Sequence, residues 1–170
     1  MTYFSKKEIF GWIFLALSIL CIVSFFKNPT GKVVFEQGSI DVYFCPRDMC
    51  KEKLIELVKT HHSVRCAFYD INLPDLIEAL KEKNADVVIE DTNKIEGFYT
   101  SYSFALMHNK FCIFDDEIVF TGSFNPTERD NYYNNNNILI IKSKKIAQNY
   151  MDEFNELRKG QNGRGEMVKF

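Results

Sequence analysis

Basic residues are not in excess in this chain, which carries 21 Lys and Arg against 23 Asp and Glu, a formal net charge of −2. Three of those cations and one anion precede Asn28, so the remainder holds eighteen cations against twenty-two anions, about −4. That excludes the global positive field of an avid nonspecific nucleic-acid binder, so a polyanionic substrate must meet a local basic site. The chain is also short. Its 170 residues, 46% hydrophobic and 15% aromatic, support one core of ordinary size and leave no room for a second independent domain among them. Histidine is scarce, with only His61, His62 and His108. Charge and proline are absent from one long stretch, Ile9 to Phe26 (IFGWIFLALSILCIVSFF), bounded by Glu8 and Lys27.

As a helix, that stretch spans about 27 Å at ~1.5 Å per residue, close to the ~30 Å hydrocarbon thickness of a bilayer. It is longer than the apolar region of a cleaved signal peptide, and no small-x-small cleavage site follows it. Bulky Leu20 before Cys21 fits a lipoprotein signal poorly. Residues 1–27 are therefore read as a single-pass N-terminal transmembrane anchor and 28–39 as a linker. Lys6 and Lys7 before the span nearly balance Lys27 and Lys32 after it, so the positive-inside rule leaves the side of the membrane open.

Beyond the linker, strands alternate with helices. Ile40 to Cys45 has strand composition and is stopped by Pro46 to Asp48, and a helix follows from about Met49 to Thr60. Ser63 to Tyr69 is a second strand; Asn72 caps a helix carrying Leu73, Leu76, Ile77 and Leu80, and Asp86 to Glu90 is a third strand. Asp91 to Leu106 has no clean period and reads as a long loop holding Phe98, Tyr99, Tyr102 and Phe104. Asn109 to Phe114 and Glu117 to Thr121 form a hairpin across acidic turn residues. A polar segment, Pro126 to Asn136, then leads to the strand Asn137 to Ile141 and an amphipathic helix from about Ser143 to Lys159. The pattern predicts one α/β domain over residues 40–160, a mixed sheet flanked by helices with parallel pairing in its first half, and a flexible end over 161–170.

The chemistry gathers in one segment. Met107 to Thr127 reads MHNKFCIFDDEIVFTGSFNPT, and in a strand residues i and i+2 share a face, so His108 and Lys110 project together. Ser123 and Asn125, also two apart, add donors from a neighbouring strand end. An imidazole beside an ammonium and polar donors suits a phosphate oxyanion with a nucleophile or acid at hand.

The spacing His108-x-Lys110-x4-Asp115, followed by Gly122-Ser123-x-Asn125, resembles the HKD signature of the phospholipase D superfamily. The resemblance implies a phospholipase D-like fold and a metal-free phosphodiesterase that works through a phosphohistidine. It makes His108 the nucleophile and, from a partner chain, the general acid and base; Lys110 and Asn125 bind phosphate oxygens, and Ser123 assists. Asp115 matches the motif carboxylate, but its distance along the strand from His108 suits a supporting structural or hydrogen-bonding role. Family members often place a carboxylate downstream to orient the histidine, and that position falls here at Asn136, which accepts a hydrogen bond but stabilises imidazolium less well. The tract Asn134 to Asn137 reads equally well as solvated turn residues.

Only one copy of the motif is present, since His61 and His62 are followed by Ser63 and Val64. A two-histidine mechanism then implies a homodimer whose two-fold axis brings two His108 side chains together. Small single-motif members of the superfamily are built this way, among them a bacterial endonuclease and the Zucchini-type mitochondrial cardiolipin hydrolases, which also carry an N-terminal anchor.

Cys45, Cys50 and Cys66, with His62 or His61, contain enough N and S ligands for one structural zinc, and the Zucchini-type relatives carry a zinc element in their N-terminal half. A disulfide between two of the three, or burial of small thiols, is the simpler reading and ranks ahead of zinc. Cys21 and Cys112 look structural.

A phosphodiester is the same chemistry in DNA, RNA and phospholipid. Membrane attachment favours phospholipid, the small single-motif architecture favours nucleic acid, and the balance of the two points to a nuclease. The aromatic loop Phe98 to Phe104 suits base stacking, a membrane interface or packing on the domain. A third class, a catalytically silent membrane-tethered binding module, is motivated by Asn136.

Overall fold

Runs of β-branched and aromatic residues become the strands of a mixed sheet, and the helical periods between them become the helices that cover it. The computed structural model describes residues 38–101 and 105–163, together with Ser18. The anchor read over Ile9 to Phe26 lies outside the described residues, Ser18 apart. Among the described residues no helix is long and apolar enough to cross a membrane.

The elements are β1 (Ser39–Cys45), α1 (Cys50–Thr60), β2 (Val64–Phe68), α2 (Pro74–Glu82), β3 (Asp86–Glu90), β4 (Tyr99–Ser101), β5 (Lys110–Phe114), β6 (Ile118–Gly122), α3 (Glu128–Tyr132), β7 (Asn136–Lys142) and α4 (Lys144–Gly163). Among the described residues, seven strands lie in the order β1-β7-β6-β5-β2-β3-β4. The β2–β3 and β3–β4 pairs are parallel and the remaining pairs antiparallel, so the mixed α/β sheet read from the alternation is present.

The sheet is buried on both faces at its centre. Leu54 and Val58 of α1 and Leu76 and Leu80 of α2 pack with Cys66, Phe68, Val87, Ile89, Cys112 and Phe114. The alternate residues Ala67, Val88, Phe111, Ile113 and Val119 meet Ala147 and Phe154 of α4. All five residues of β5 are buried, which is why that strand reads as a continuous apolar run after Lys110. Each fully buried large side chain contributes roughly 1.5–3 kcal/mol, so this double-sided packing fixes the strand that carries Lys110. At the sheet edge, Ile40, Val42 and Phe44 of β1 remain exposed.

Three local readings are corrected, and the hairpin read across the acidic turn is present. The N-cap of α2 is Leu73, with Pro74 opening the helix, because proline needs no N–H partner in the first turn. Asn72 instead accepts from the Glu128 backbone N–H at 2.8 Å, at the start of α3. The stretch read as loop from Asp91 contains β4, which is only three residues long and borrows its pairing from β3. The polar segment after Pro126 contains α3, capped by Thr127, whose hydroxyl accepts from the Asp130 backbone N–H. The hairpin between β5 and β6 turns on Asp115 and Asp116, with φ of 49° and 56°, the pair of positive values a type I′ turn requires.

Candidate active site

Strand register gathers the motif at one end of the sheet. Lys110 opens β5 beside Phe68, the last residue of β2, while Thr121 near the end of β6 pairs with Phe111. Gly122 pairs with Ile138 near the start of β7. The end of β2, the start of β5, the end of β6 and the start of β7 therefore meet, although they come from four separate stretches of sequence.

His108 precedes β5 and is held by its neighbours. The Met107 backbone N–H donates to the buried Glu90 carboxylate at 2.7 Å, and the Tyr69 N–H donates to the Asn109 carbonyl at 2.8 Å. The His108 ring is exposed, and its centroid lies 4.5 Å from that of Tyr69. Lys110 is buried, with Nζ 3.2 Å from His108 Nδ1, 2.9 Å from the His108 carbonyl oxygen and 5.1 Å from the Tyr69 ring centre. Burial lowers the Lys110 pKa from the ordinary lysine value, and the negative charges of Asp130 and Asp70 oppose that fall. An ammonium can only donate, so this contact makes Nδ1 the acceptor and puts the proton of a neutral imidazole on Nε2.

Across β6 the approach is tight. A Cβ on Gly122 would overlap the Asn137 carbonyl oxygen, so only glycine lets the strand end lie this close to β7. There the Ser123 N–H donates to the Asn137 carbonyl at 3.0 Å. Ser123 Oγ lies 3.1 Å from both Asn136 Oδ1 and Asn137 Oδ1 and accepts from the Asn137 N–H at 3.1 Å. No bond from Asn136 to His108 is present; Asn136 faces Ser123 and its own tract instead.

Asn125 is fixed by Asp130 of α3. Asp130 Oδ2 accepts from the Asn125 backbone N–H at 2.8 Å and from Asn125 Nδ2 at 2.9 Å, and Asp130 Oδ1 accepts from Asn134 Nδ2 at 2.6 Å. Burial pushes the Asp130 carboxyl up, but the hydrogen bonds from Asn125 and Asn134 outweigh it and hold the pKa below the ordinary carboxylate value. Asn125 Oδ1 is buried without a protein partner.

Asp115 stands at the other end of β5. Its Oδ1 accepts from the backbone N–H groups of His62 at 3.0 Å and Ser63 at 2.8 Å, tying the hairpin turn to the start of β2. The Ser63 bond is the main reason its pKa falls below the ordinary value.

The zinc set of Cys45, Cys50, His62 and Cys66 is not assembled. Cys45 bonds to Cys50, and Cys66 in β2 bonds to Cys112, its cross-strand partner in β5. The pairing follows from a register that sets Cys66 and Cys112 side by side in the core, away from the β1–α1 turn that holds the other pair. Among the described residues no group of three or more His, Cys, Asp and Glu is placed to hold a metal ion. In the aromatic stretch, Phe98 packs on the core and Tyr99 lies under Arg158, with 3.2 Å from guanidinium carbon to ring centre; Tyr102 and Phe104 lie outside the described residues.

Tyr69 and Asp130 were not singled out from the sequence. Neither has a local signal, since Tyr69 reaches His108 only because β2 neighbours β5, and Asp130 lies in a five-residue helix without a run of apolar periodicity.

Residues 42–158, more than half of the chain, match the family described as the cardiolipin synthase, PLD-like domain. The chain belongs to this phospholipase D-like family. A phospholipase D of Rickettsia conorii is 31% identical to the PLD-like chain over 83 residues, 49% of this chain and 38% of that protein. A mitochondrial cardiolipin hydrolase of Xenopus tropicalis is 41% identical over 51 residues, 30% of this chain and 24% of the relative. The matched part thus spans well under half the length of these curated relatives. Among solved structures, the phospholipase D family member Nuc from Salmonella typhimurium superposes with a TM-score of 0.66 at 21% identity, covering 73% of this chain and 96% of Nuc. NucT from Helicobacter pylori gives 0.59 at 16% identity, covering 73% and 98%. At these identities the superpositions establish a shared fold.

Proposed function

We propose that this PLD-like chain hydrolyses phosphodiesters through a phosphohistidine on His108, at a site completed by a second copy of the chain. The observation that carries the reading is the buried Lys110 ammonium held 3.2 Å from His108 Nδ1. A buried cation beside an exposed imidazole is a phosphate site with a nucleophile at its mouth.

Substrate phosphate oxygens draw the Lys110 ammonium and an Asn125 N–H to themselves. Nδ1 is then free to carry the ring proton, which leaves the Nε2 lone pair to attack phosphorus. The P–N bond forms as the P–O bond to the leaving group breaks, and the departing oxygen takes a proton from the partner's imidazole. That imidazole, now neutral, takes a proton from water, which attacks phosphorus and breaks the P–N bond. No step requires a metal ion.

Nucleic acid is the substrate class we favour, supported by the small single-motif chain and its fold likeness to Nuc and NucT over nearly their whole length. The second reading is a phospholipid, favoured by the names of the curated relatives, a phospholipase D and a cardiolipin hydrolase. An N-terminal anchor over Ile9 to Phe26 belongs to the proposal and brings the domain to a membrane under either reading. The Cys45–Cys50 and Cys66–Cys112 disulfides favour the oxidising side of that membrane.

The test is turnover of single-stranded DNA, RNA and cardiolipin vesicles by the full chain and by His108→Ala, with EDTA throughout. Nucleic-acid cleavage that survives EDTA and vanishes in the variant supports the nuclease, and cardiolipin cleavage with the same signature selects the second reading. Absence of cleavage in both proteins, with the fold intact, is the result of a silent binding module.

A further inference from the structure

The site has a carboxylate, but not at the motif's downstream position, which is occupied by Asn136. Asp130 sits six residues earlier, on α3, and is 6% exposed. Both of its oxygens are engaged, Oδ2 by the backbone and side-chain N–H groups of Asn125 and Oδ1 by Asn134. Asn136 donates to the Asn134 carbonyl at 3.4 Å and accepts from Ser123 Oγ at 3.1 Å. The carboxylate thus touches the motif's Asn125 directly and reaches Ser123 through Asn134 and Asn136, and its charge acts on Lys110.

We propose that Asp130 is a positioning residue that supplies the buried carboxylate of the site from α3, holding Asn125 for phosphate and balancing the charge of Lys110 where Asn136 offers none. This rests on the phosphodiesterase reading above. A carboxylate only accepts, so it settles which end of the Asn125 carboxamide faces it: Nδ2 turns to Asp130 and one N–H of that nitrogen remains for a substrate oxygen. Leaving a buried ammonium without a nearby anion is costly, and Asp130 and Asp70 are the carboxylates whose charges act on Lys110. The remaining groups against Lys110 are the His108 ring on its own segment and the Tyr69 ring at the end of β2. A helix of five residues after the Gly-Ser-x-Asn element is enough to bring a carboxylate in from the side.

The experiment is the pH dependence of bis(4-nitrophenyl) phosphate hydrolysis by the full chain in detergent, for the unaltered protein, Asp130→Asn and Asp130→Glu, with folding checked by circular dichroism. Asp130→Asn keeps the shape and loses the charge. It is expected to lose about 10- to 100-fold in kcat/KM and to move the alkaline limb, where Lys110 deprotonates, down by about one pH unit. Asp130→Glu, which keeps the charge, leaves that limb in place. Asp130→Ser, small and still an acceptor for the Asn125 backbone, replaces Asp130→Asn if the latter does not fold. A charge-removing variant within threefold of the unaltered protein overturns the proposal, and so does a loss of rate with the alkaline limb unmoved, the mark of a purely structural carboxylate. Hydrolysis absent from the unaltered protein, or unaffected by His108→Ala, overturns the phosphodiesterase reading itself, so the two failures are distinguishable.

Discussion

Lys110 Nζ lies 3.2 Å from His108 Nδ1 and 2.9 Å from the same residue's carbonyl oxygen, so the cation rests on the imidazole proposed as the nucleophile. Its pKa is lowered chiefly by burial. Deprotonation removes the charge proposed to bind phosphate, so activity should fall on the alkaline side at a pH below the ordinary lysine value of ~10.4. The sign for stability is the reverse: the unfolded chain binds the proton more tightly, so the cost of burying the ammonium is present at neutral pH and is relieved as pH rises through the folded pKa. Lys110→Gln should lose about 10²- to 10³-fold in kcat/KM while melting no earlier than the unaltered protein. Parallel rate and melting measurements check both.

The proposed shared site predicts a quadratic mixing law. If both His108 side chains serve one site, a dimer of one unaltered and one His108→Ala chain is inactive, and activity follows the square of the unaltered fraction. Co-expression at equal levels should leave about a quarter of full activity, and a half would mean that each chain works alone.

Asp115 should matter to the fold and not to the chemistry. Asp115→Ala leaves the His62 and Ser63 N–H groups without their carboxylate, costing about 1 kcal/mol, at the lower end because the group is solvent-exposed. Its folded pKa lies below the unfolded ~3.9, so that contribution is present above this pH and is lost as pH falls through the folded value. Denaturant melts at pH 7 and pH 3 should show the variant's deficit shrinking in acid, with kcat at pH 7 within about twofold of the unaltered protein.

The Cys66–Cys112 bridge closes a separation of 46 residues between adjacent strands. In the chain-entropy account a loop of that size stabilises by roughly 4 kcal/mol, and the short Cys45–Cys50 loop by roughly 2 kcal/mol. Reduction should therefore lower the denaturation midpoint, and Cys66→Ala with Cys112→Ala should reproduce most of the loss. A midpoint indifferent to reductant would contradict both bridges.

What was legible in advance was what short range encodes. His108 and Lys110 at i and i+2, Gly122 at a strand end and the acidic turn at Asp115 are readable from a few residues, as is the alternation that gives an α/β sheet. What was hidden depends on strand order. Nothing near Cys66 names Cys112 as its partner until β2 is known to pair with β5, and the same adjacency brings Tyr69 to His108. Asp130 was hidden for a second reason: the motif's spacing points to one fixed position, Asn136, while the fold brings a carboxylate in from a short helix beside it.

The central claim is a covalent bond between His108 and phosphorus. The full chain should be mixed with bis(4-nitrophenyl) phosphate, quenched in alkali, where phosphohistidine survives, and its peptides weighed. A 4-nitrophenyl phosphoryl adduct confined to the His108 peptide and absent from His108→Ala is the predicted result. Continued turnover with no adduct at His108, or turnover that persists in the variant, would contradict the account.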